Sequence, residues 1–169
     1  MLIFIKSVML FLILIICTKI GILKAKTYDN RVITLKKLKN ALEMLKSKIE
    51  FTYEPIKDIF GEISKIIYSG QDNIFSSTVN MIDKKGINES WNLAVKNEKN
   101  FNDEDKSTIK MFGKLLGKTD KSGQINEINV TSKLVDGLIE KAENEKAKNY
   151  KLFRTLGVVV GIGTCIILV

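Results

Sequence analysis

Apolar positions follow two patterns along this chain: continuous runs at both ends and a helical period between them. Within residues 2–23 only Lys6 and Lys19 carry charge. A helix of that length measures about 33 Å, which is enough to span a bilayer. A cleaved signal peptide would place small residues before its cleavage point, and Leu23–Ala25 fits that pattern poorly. The run therefore predicts an uncleaved N-terminal membrane anchor over residues 1–24.

The second continuous apolar run lies at the C-terminus. Residues 156–169 carry no charge, but a helix of that length covers only about 21 Å of a hydrocarbon core about 30 Å thick. Extending the helix to 152–169 helps, because Arg154 can reach the interface along its aliphatic stem. We therefore expect a C-terminal transmembrane helix there. Gly157 and Gly161 have the spacing that lets two membrane helices approach closely, but glycine is also common in membrane helices generally, and both interpretations stay open.

Between the two ends, apolar residues recur every three or four positions, which is the period of amphipathic helices. The alternation typical of a strand never persists beyond a few residues. We therefore predict an all-α bundle over residues 25–151, with about six helices and a membrane helix at each end. Two long seams delimit the bundle: Val32, Leu35, Leu38, Ala41, Leu42, Leu45 and Ile49 at its start, and Ile125, Ile128, Ser132, Val135, Ile139 and Ala142 at its end.

Residues that cap or break helices delimit the shorter helices between these seams. Pro55 suits the first turn of a second helix, where a missing N–H costs nothing. Gly70 and Gly86 suit the left-handed ends of the second and third helices. The predicted apolar face of the second helix comprises Ile56, Ile59, Phe60, Ile63, Ile66 and Ile67. The predicted N-caps of the third, fourth and fifth helices are Asp72, Asn88, and Asn102 or Asp103.

The most distinctive local pattern lies where the fifth helix should end and the last one begin. Gly117 would supply a positive φ, and Asp120 would accept N–H groups of the new helix. Gly113, inside a helix, costs about 1 kcal/mol relative to alanine, which suggests a close contact there. A phosphate-binding loop is the alternative, but these glycines do not follow a strand. We predict a structural turn and candidate partner contact formed by Phe112, Gly113, Leu116, Gly117, Asp120 and Gln124.

The composition argues against catalysis. The chain has no histidine, and its two cysteines, Cys17 and Cys165, lie in the apolar ends. That removes the commonest general base, a disulfide framework and a thiolate zinc site. We expect no enzymatic activity, no cofactor and no metal. The net charge of +8 indicates either a solvated surface or attraction to anionic lipid. No nucleic-acid-binding motif is present, so we expect no nucleic-acid partner.

Basic residues crowd the inner side of both apolar runs. Positive charge next to a membrane span stays in the cytoplasm, so the bundle should be cytoplasmic and both termini should point outward. The flanking residues are Lys24, Lys26, Arg31, Lys36, Lys37 and Lys39 at one end, and Lys141, Lys146, Lys148, Lys151 and Arg154 at the other.

A set of positions spread over nearly the whole chain has the arrangement of a known family. The most specific part is the block from Phe112 to Gln124. The other positions are Leu38, Ala41, Leu42, Leu45, Ile49, Tyr53, Pro55, Trp91, Tyr150, Leu156 and Gly157, beside the N-terminal run. With these, the chain resembles the stage III sporulation protein AB family of endospore-forming bacteria. The turn at Thr52–Pro55 departs slightly from the usual family pattern.

The resemblance implies a role in forespore development. The family belongs to an operon whose products, with a forespore partner, form a channel between mother cell and forespore. Its soluble domain is similar to that of the platform protein of type II secretion and type IV pilus machines, which sits above a cytoplasmic ATPase. By analogy, the expected partner is the operon's own ATPase, stage III sporulation protein AA. Other operon proteins, a second copy of the chain and the lipid bilayer are further expected partners.

We therefore consider two alternative functions for this chain. The first is a scaffold in the mother-cell membrane facing the forespore, with its bundle in the mother-cell cytoplasm. The alternative is a platform subunit of a type II secretion or type IV pilus-like machine. Platform proteins typically carry two such bundles in tandem, and one bundle here favours the first function. A peripheral lipid-binding or nucleic-acid-binding protein is the third interpretation, and a mild salt wash would release it from membranes.

Overall fold

Two long helices, α1 (Leu2–Phe51) and α5 (Lys121–Leu168), form most of the chain. Three shorter helices lie between them in sequence, namely α2 (Ile56–Tyr68), α3 (Ile74–Asn97) and α4 (Asp103–Gly113). The part of the chain that the structure describes contains no strand, which confirms the all-α prediction for that part.

The computed structural model describes residues 2–114, 116–117 and 120–168. Of these, the side chains of residues 2–8, 10, 165, 167 and 168 lie outside the description. Leu115, Lys118 and Thr119, which belong to the block from Phe112 to Gln124, lie outside it altogether. Within the described residues, no helix is both long enough and apolar enough to cross a membrane. The two expected membrane-spanning helices stay a prediction.

The helix boundaries differ from the predicted ones at two places. The expected N-terminal anchor and the first amphipathic helix are one continuous helix, α1, because no proline or helix-ending glycine separates them. The expected third and fourth helices are the two parts of α3, which is interrupted at Gly86 with φ 73° and ψ 165°. Glycine has no Cβ to oppose that conformation, so the chain turns there without leaving a loop.

The chain divides into two compact units. Unit 1 comprises Met1–Val32 with Lys141–Val169, and unit 2 comprises Ile33–Glu140. Unit 1 thus contains the outer parts of both long helices. Unit 2 contains their inner parts together with α2, α3 and α4.

The core of unit 2 is built on α1 and an aromatic cluster. The predicted α1 seam from Leu35 to Ile49 is buried throughout. Trp91 is fully buried, as expected for a core residue, and its indole Nε1–H donates to the Ile109 carbonyl at 3.0 Å. Its ring centroid lies 5.5 Å from those of Phe75 and Phe112 in edge-to-face geometry, the arrangement that aromatic pairs prefer. Phe60 and Tyr68 complete the cluster.

The buried face of α5 is rotated from the predicted one. Ile128, Ser132, Val135 and Ala142 are buried as expected. Ile125 and Ile139 are only half-buried. Thr131 and Leu138 take their places on the buried face. A straight α-helix has 3.6 residues per turn, so a strict 3/4 pattern drifts off the contact line within a few turns. On α2, likewise, Ile59, Phe60 and Ile63 are buried, whereas Ile66 is 65% exposed.

The helix starts in unit 2 depend on side-chain caps, some one residue from the predicted position. Asn73, not Asp72, caps α3: its Oδ1 accepts the N–H groups of Phe75 and Ser76. Asn102 caps α4 as predicted and accepts the N–H of Asp105 at 2.8 Å. Pro55 occupies the N-cap of α2 rather than its first turn, and contributes only its carbonyl. These caps accept hydrogen bonds from backbone N–H groups in the first turn of each helix, which would otherwise have no partner.

Candidate functional site

The turn predicted between the last two helices is present between α4 and α5. Gly117 has a φ of 72°, the left-handed region expected for it from the sequence. Asp120 caps α5: its Oδ1 accepts the N–H of Gly123 at 3.0 Å, and its Oδ2 accepts the hydroxyl of Ser122 at 2.9 Å. The Gly123 N–H, together with that hydroxyl, lowers the pKa of the Asp120 carboxyl, because these bonds favour its charged form.

Three of the predicted site residues are buried and act through packing. Phe112 and Leu116 lie in the core, and Gly113 lies against the indole of Trp91. A Cβ added at Gly113 would overlap that ring, which accounts for a glycine inside a helix. Gln124 is half-buried and shares a narrow crevice with Phe112 and Leu116. Only Gly117 and Asp120 of the six are exposed, so a direct partner contact by this block would involve those two.

The sequence of the turn, Gly117-Lys118-Thr119, matches the last three positions of the phosphate-binding motif G-x-x-x-x-G-K-[ST]. The motif needs its first glycine at position 112, where this chain has Phe112. The turn follows helix α4 rather than a strand. Nothing in this arrangement therefore supports phosphate binding. The described residues also contain no group of three or more acidic or cysteine side chains that could hold a metal ion.

Sequence reasoning missed two exposed aromatic residues beside this turn. Phe51 is 77% exposed and Tyr53 is fully exposed, at the end of α1 and in the loop to α2. The ammonium of Lys121 lies 5.6 Å from the centroid of the Tyr53 ring. A Cβ at Gly117 would lie 3.8 Å from Ile56 Cδ1, so the two connections are neighbours. Phe51, Tyr53, Gly117 and Asp120 form one surface, called the exposed tip below.

A signal for the exposed tip does exist in the sequence. The α1 seam ends at Ile49, and the next residue on that face would fall at 52 or 53, next to Pro55. Two aromatic residues placed after the last seam position and before a proline cannot both continue a buried helix face. Only the structure shows that neither is covered.

Unit 1 is an antiparallel helix pair in close backbone contact. A Cβ added at Gly21 would lie 2.7 Å from the Phe153 carbonyl oxygen and 2.8 Å from Gly157 Cα. A Cβ added at Gly161 would lie 2.9 Å from Leu14 Cδ1. The glycine spacing on α5 is thus used for close approach, and the contact is made with α1 of the same chain. The sequence prediction named Gly157 and Gly161 but missed Gly21.

Two ion pairs fix the register of this helix pair. Arg31 Nη1 lies 2.8 Å from Glu145 Oε2, and Lys146 Nζ lies 2.6 Å from Asp29 Oδ1. The Lys146 ammonium donates to the Asp29 carboxylate, and this hydrogen bond raises the pKa of Lys146 because it favours the charged form. Arg31 is buried, so its partner Glu145 satisfies a charge that would otherwise be costly. Two of the basic residues that lie beside the apolar runs in sequence, Arg31 and Lys146, therefore help to hold α1 and α5 together.

Large apolar side chains cover the outer surface of unit 1. This is the reverse of unit 2, where such side chains are in the core. An exposed apolar surface of this extent marks an interaction site with a protein or a lipid phase. The exposed residues include Met9, Phe11, Leu12, Ile16, Ile20 and Leu23 on α1, and Leu152, Leu156, Val159, Val160, Ile162 and Ile166 on α5.

Comparison with known proteins decides the family. The family described as stage III sporulation protein AB matches residues 6–169. The chain belongs to the stage III sporulation protein AB family. The stage III sporulation protein AB of Bacillus subtilis (strain 168) is 24% identical over 155 residues, which cover 89% of this chain and 91% of that protein. The resemblance inferred from the residues is confirmed.

Membership of the stage III sporulation protein AB family assigns this chain to sporulation. The residues that match the family, 6–169, include both the exposed tip and the glycines at the helix contact of unit 1. No solved structure matches the chain. The expected likeness of its bundle to secretion platform proteins stays a prediction.

Proposed function

We propose that this chain is a non-enzymatic, membrane-anchored component of the channel that links mother cell and forespore. The family match over residues 6–169 carries the proposal, because it covers both units. The channel role itself comes from the family resemblance. In this role unit 1 anchors the protein in the mother-cell membrane, and unit 2 docks partner proteins in the mother-cell cytoplasm.

Membrane anchoring is supported by the outward apolar residues of unit 1. Residues 1–28 and 146–169 contain no acidic side chain. Lysines follow the N-terminal apolar run and precede the C-terminal one, so they lie on the side of each run that faces the bundle in sequence. Basic flanks of this kind are retained in the cytoplasm, so both termini should lie on its other side.

Alkaline carbonate extraction and a reporter fused to the C-terminus test this arrangement. We expect the protein to resist carbonate and the reporter to behave as exported. Release by carbonate would contradict the anchoring. Resistance with a cytoplasmic reporter would contradict the orientation alone.

Partner docking is proposed at the exposed tip of unit 2. Aromatic residues are enriched at protein interfaces, and Phe51 and Tyr53 expose their rings to solvent next to Gly117 and Asp120. The expected partner is the operon's ATPase, by analogy with secretion machines.

Capture of the purified ATPase by full-length protein in detergent tests the docking. The variant Phe51→Ser with Tyr53→Ser should lose at least about ten-fold in affinity, the size of effect seen for aromatic hot spots. The matched control is Ile66→Ser, since Ile66 is also an exposed apolar residue of unit 2 but lies on α2 away from the loop. Equal capture by the double variant and the control would exclude the exposed tip as the docking surface.

A further inference from the structure

An apolar groove runs along one side of the helix pair in unit 1. Cys17, Ile20, Gly21 and Lys24 line it from α1, and Phe153, Leu156, Gly157 and Val160 line it from α5. Its volume is about 450 Å³, within the range of pockets that hold small molecules. Gly21 and Gly157, which line the groove, also allow the backbones of the two helices to meet along its floor, because a Cβ on either would overlap the other helix.

One end of this groove carries a positive charge. Lys24 is the one charged residue that lines it, and it lies at the same end as Phe153. The acidic residue nearest in sequence to Lys24 on α1 is Asp29, and the one nearest to Phe153 on α5 is Glu145. They are already paired with Lys146 and Arg31, respectively. Among the side chains that the structure describes, none forms an ion pair with Lys24. The groove is therefore apolar along its length and cationic at its inner end.

We propose that this groove binds one anionic phospholipid, with an acyl chain along the apolar walls and the phosphate at Lys24. The inference rests on the proposed membrane anchoring of unit 1. An acyl chain matches the apolar lining, and a phosphate matches the unpaired ammonium. Basic residues between membrane helices on the cytoplasmic side bind anionic headgroups in this way. A second copy of the chain or another membrane helix would match the walls but would leave the charge of Lys24 without a counterion.

The test compares lipid retention by two single-charge variants of the full-length protein. Protein purified in a mild non-ionic detergent is mixed with equal amounts of phosphatidylglycerol and phosphatidylcholine, and bound lipid is counted by native mass spectrometry. Lys24→Gln should retain about five-fold less phosphatidylglycerol than the wild type, the factor that one lysine contributes near anionic lipid. Lys26→Gln is the matched control, because Lys26 is exposed on the same helix but does not line the groove.

A second measurement locates the acyl chain. In a Cys165→Ser background Cys17 is the one thiol left in the chain, and it lines the groove. Reconstitution in vesicles containing phosphatidylglycerol should slow its alkylation by a membrane-permeant maleimide, compared with vesicles of phosphatidylcholine alone. Lys24→Gln should remove that difference, and Lys26→Gln should keep it.

The outcomes separate this inference from the anchoring on which it rests. Release of the wild type from membranes by carbonate would overturn the anchoring and the lipid site together. Stable anchoring with equal lipid retention by both variants would overturn the lipid site alone, and show that Lys24 acts only as surface charge. Slow Cys17 alkylation that is the same in both vesicle types would also overturn it, and would indicate that a protein helix fills the groove.

Discussion

Units 1 and 2 have the same secondary structure and opposite distributions of large side chains. In unit 2 the aromatic cluster around Trp91 is buried, and the described charged residues other than Asp105 are exposed or half-buried. In unit 1 the residues at the helix contact are glycines, and the large apolar side chains face outward. Burial of apolar area stabilises the first arrangement in water. The second depends on close backbone packing and two ion pairs, as in helices that pack within an apolar medium.

The largest expected effect comes from the core of unit 2. Trp91→Ala should destabilise the protein by about 3–5 kcal/mol, because it leaves a cavity among Phe60, Phe75 and Phe112. Chemical denaturation of the full-length protein in detergent, followed by circular dichroism, measures this change. Phe51→Ala serves as the control and should change stability by less than about 0.5 kcal/mol, since Phe51 is exposed. Similar losses for both variants would mean that the cluster is not the core.

A smaller effect is expected at the glycine contact of unit 1. A Cβ at Gly157 would lie 2.9 Å from the Cys17 carbonyl oxygen and from Gly21 Cα, and backbone atoms cannot move aside cheaply. Gly157→Ala should therefore cost about 1–3 kcal/mol, the range for overpacking. Gly163→Ala is its matched control, because nothing lies within 4 Å of that Cβ position. It should be neutral or gain up to about 1 kcal/mol from helix propensity. The same detergent denaturation measures both, and equal behaviour of the pair would contradict the close contact.

A comparable effect of different origin is expected at the turn of unit 2. Space at Gly117 is open, so the cost of Gly117→Val comes from its φ of 72° and should be about 1–3 kcal/mol. Asp120→Ala should cost about 0.5–2 kcal/mol as a lost N-cap. Gly137→Val is the control, since that glycine is helical and has no close neighbour.

Spore counts extend this test from stability to function. The double variant Gly117→Val with Asp120→Ala should reach the membrane and fail to support sporulation. An unchanged melt with lost sporulation would point to a direct partner contact at the exposed tip. An unchanged melt with normal sporulation would remove the turn from the function altogether.

The smallest effect concerns the dependence of the α5 cap on pH. The folded state lowers the pKa of Asp120 below its ordinary value of 3.8. Its stabilising contribution is therefore complete above that value, and is lost as the pH falls through the lower folded pKa. Asp120→Asn keeps a capping oxygen that does not titrate. The difference in Tm between the wild type and this variant should be constant near neutral pH and change only in strong acid. A change centred near pH 7 would exclude Asp120 as its source.

Much of the local structure was predictable because it depends on neighbours in sequence. The seam from Leu35 to Ile49, the positive φ of Gly117 and the caps at Asn102 and Asp120 all follow from period and from backbone preference. The shift of the α3 cap from Asp72 to Asn73 is a one-residue choice between two good capping side chains. The exposure of Ile66 was not predictable, because the period of a helix does not say how wide its contact is.

The sequence by itself determined the helical class, the positions of most helix ends and the family, since these depend on local propensity and on a pattern of residues spread along the chain. Tertiary structure alone decided what each pattern packs against. It placed Gly113 against Trp91, Gly157 against Gly21, and Lys146 beside Asp29. It also left Phe51 and Tyr53 uncovered. Partners far apart in sequence meet only when the whole chain folds, and no local preference encodes which of several candidate surfaces they find.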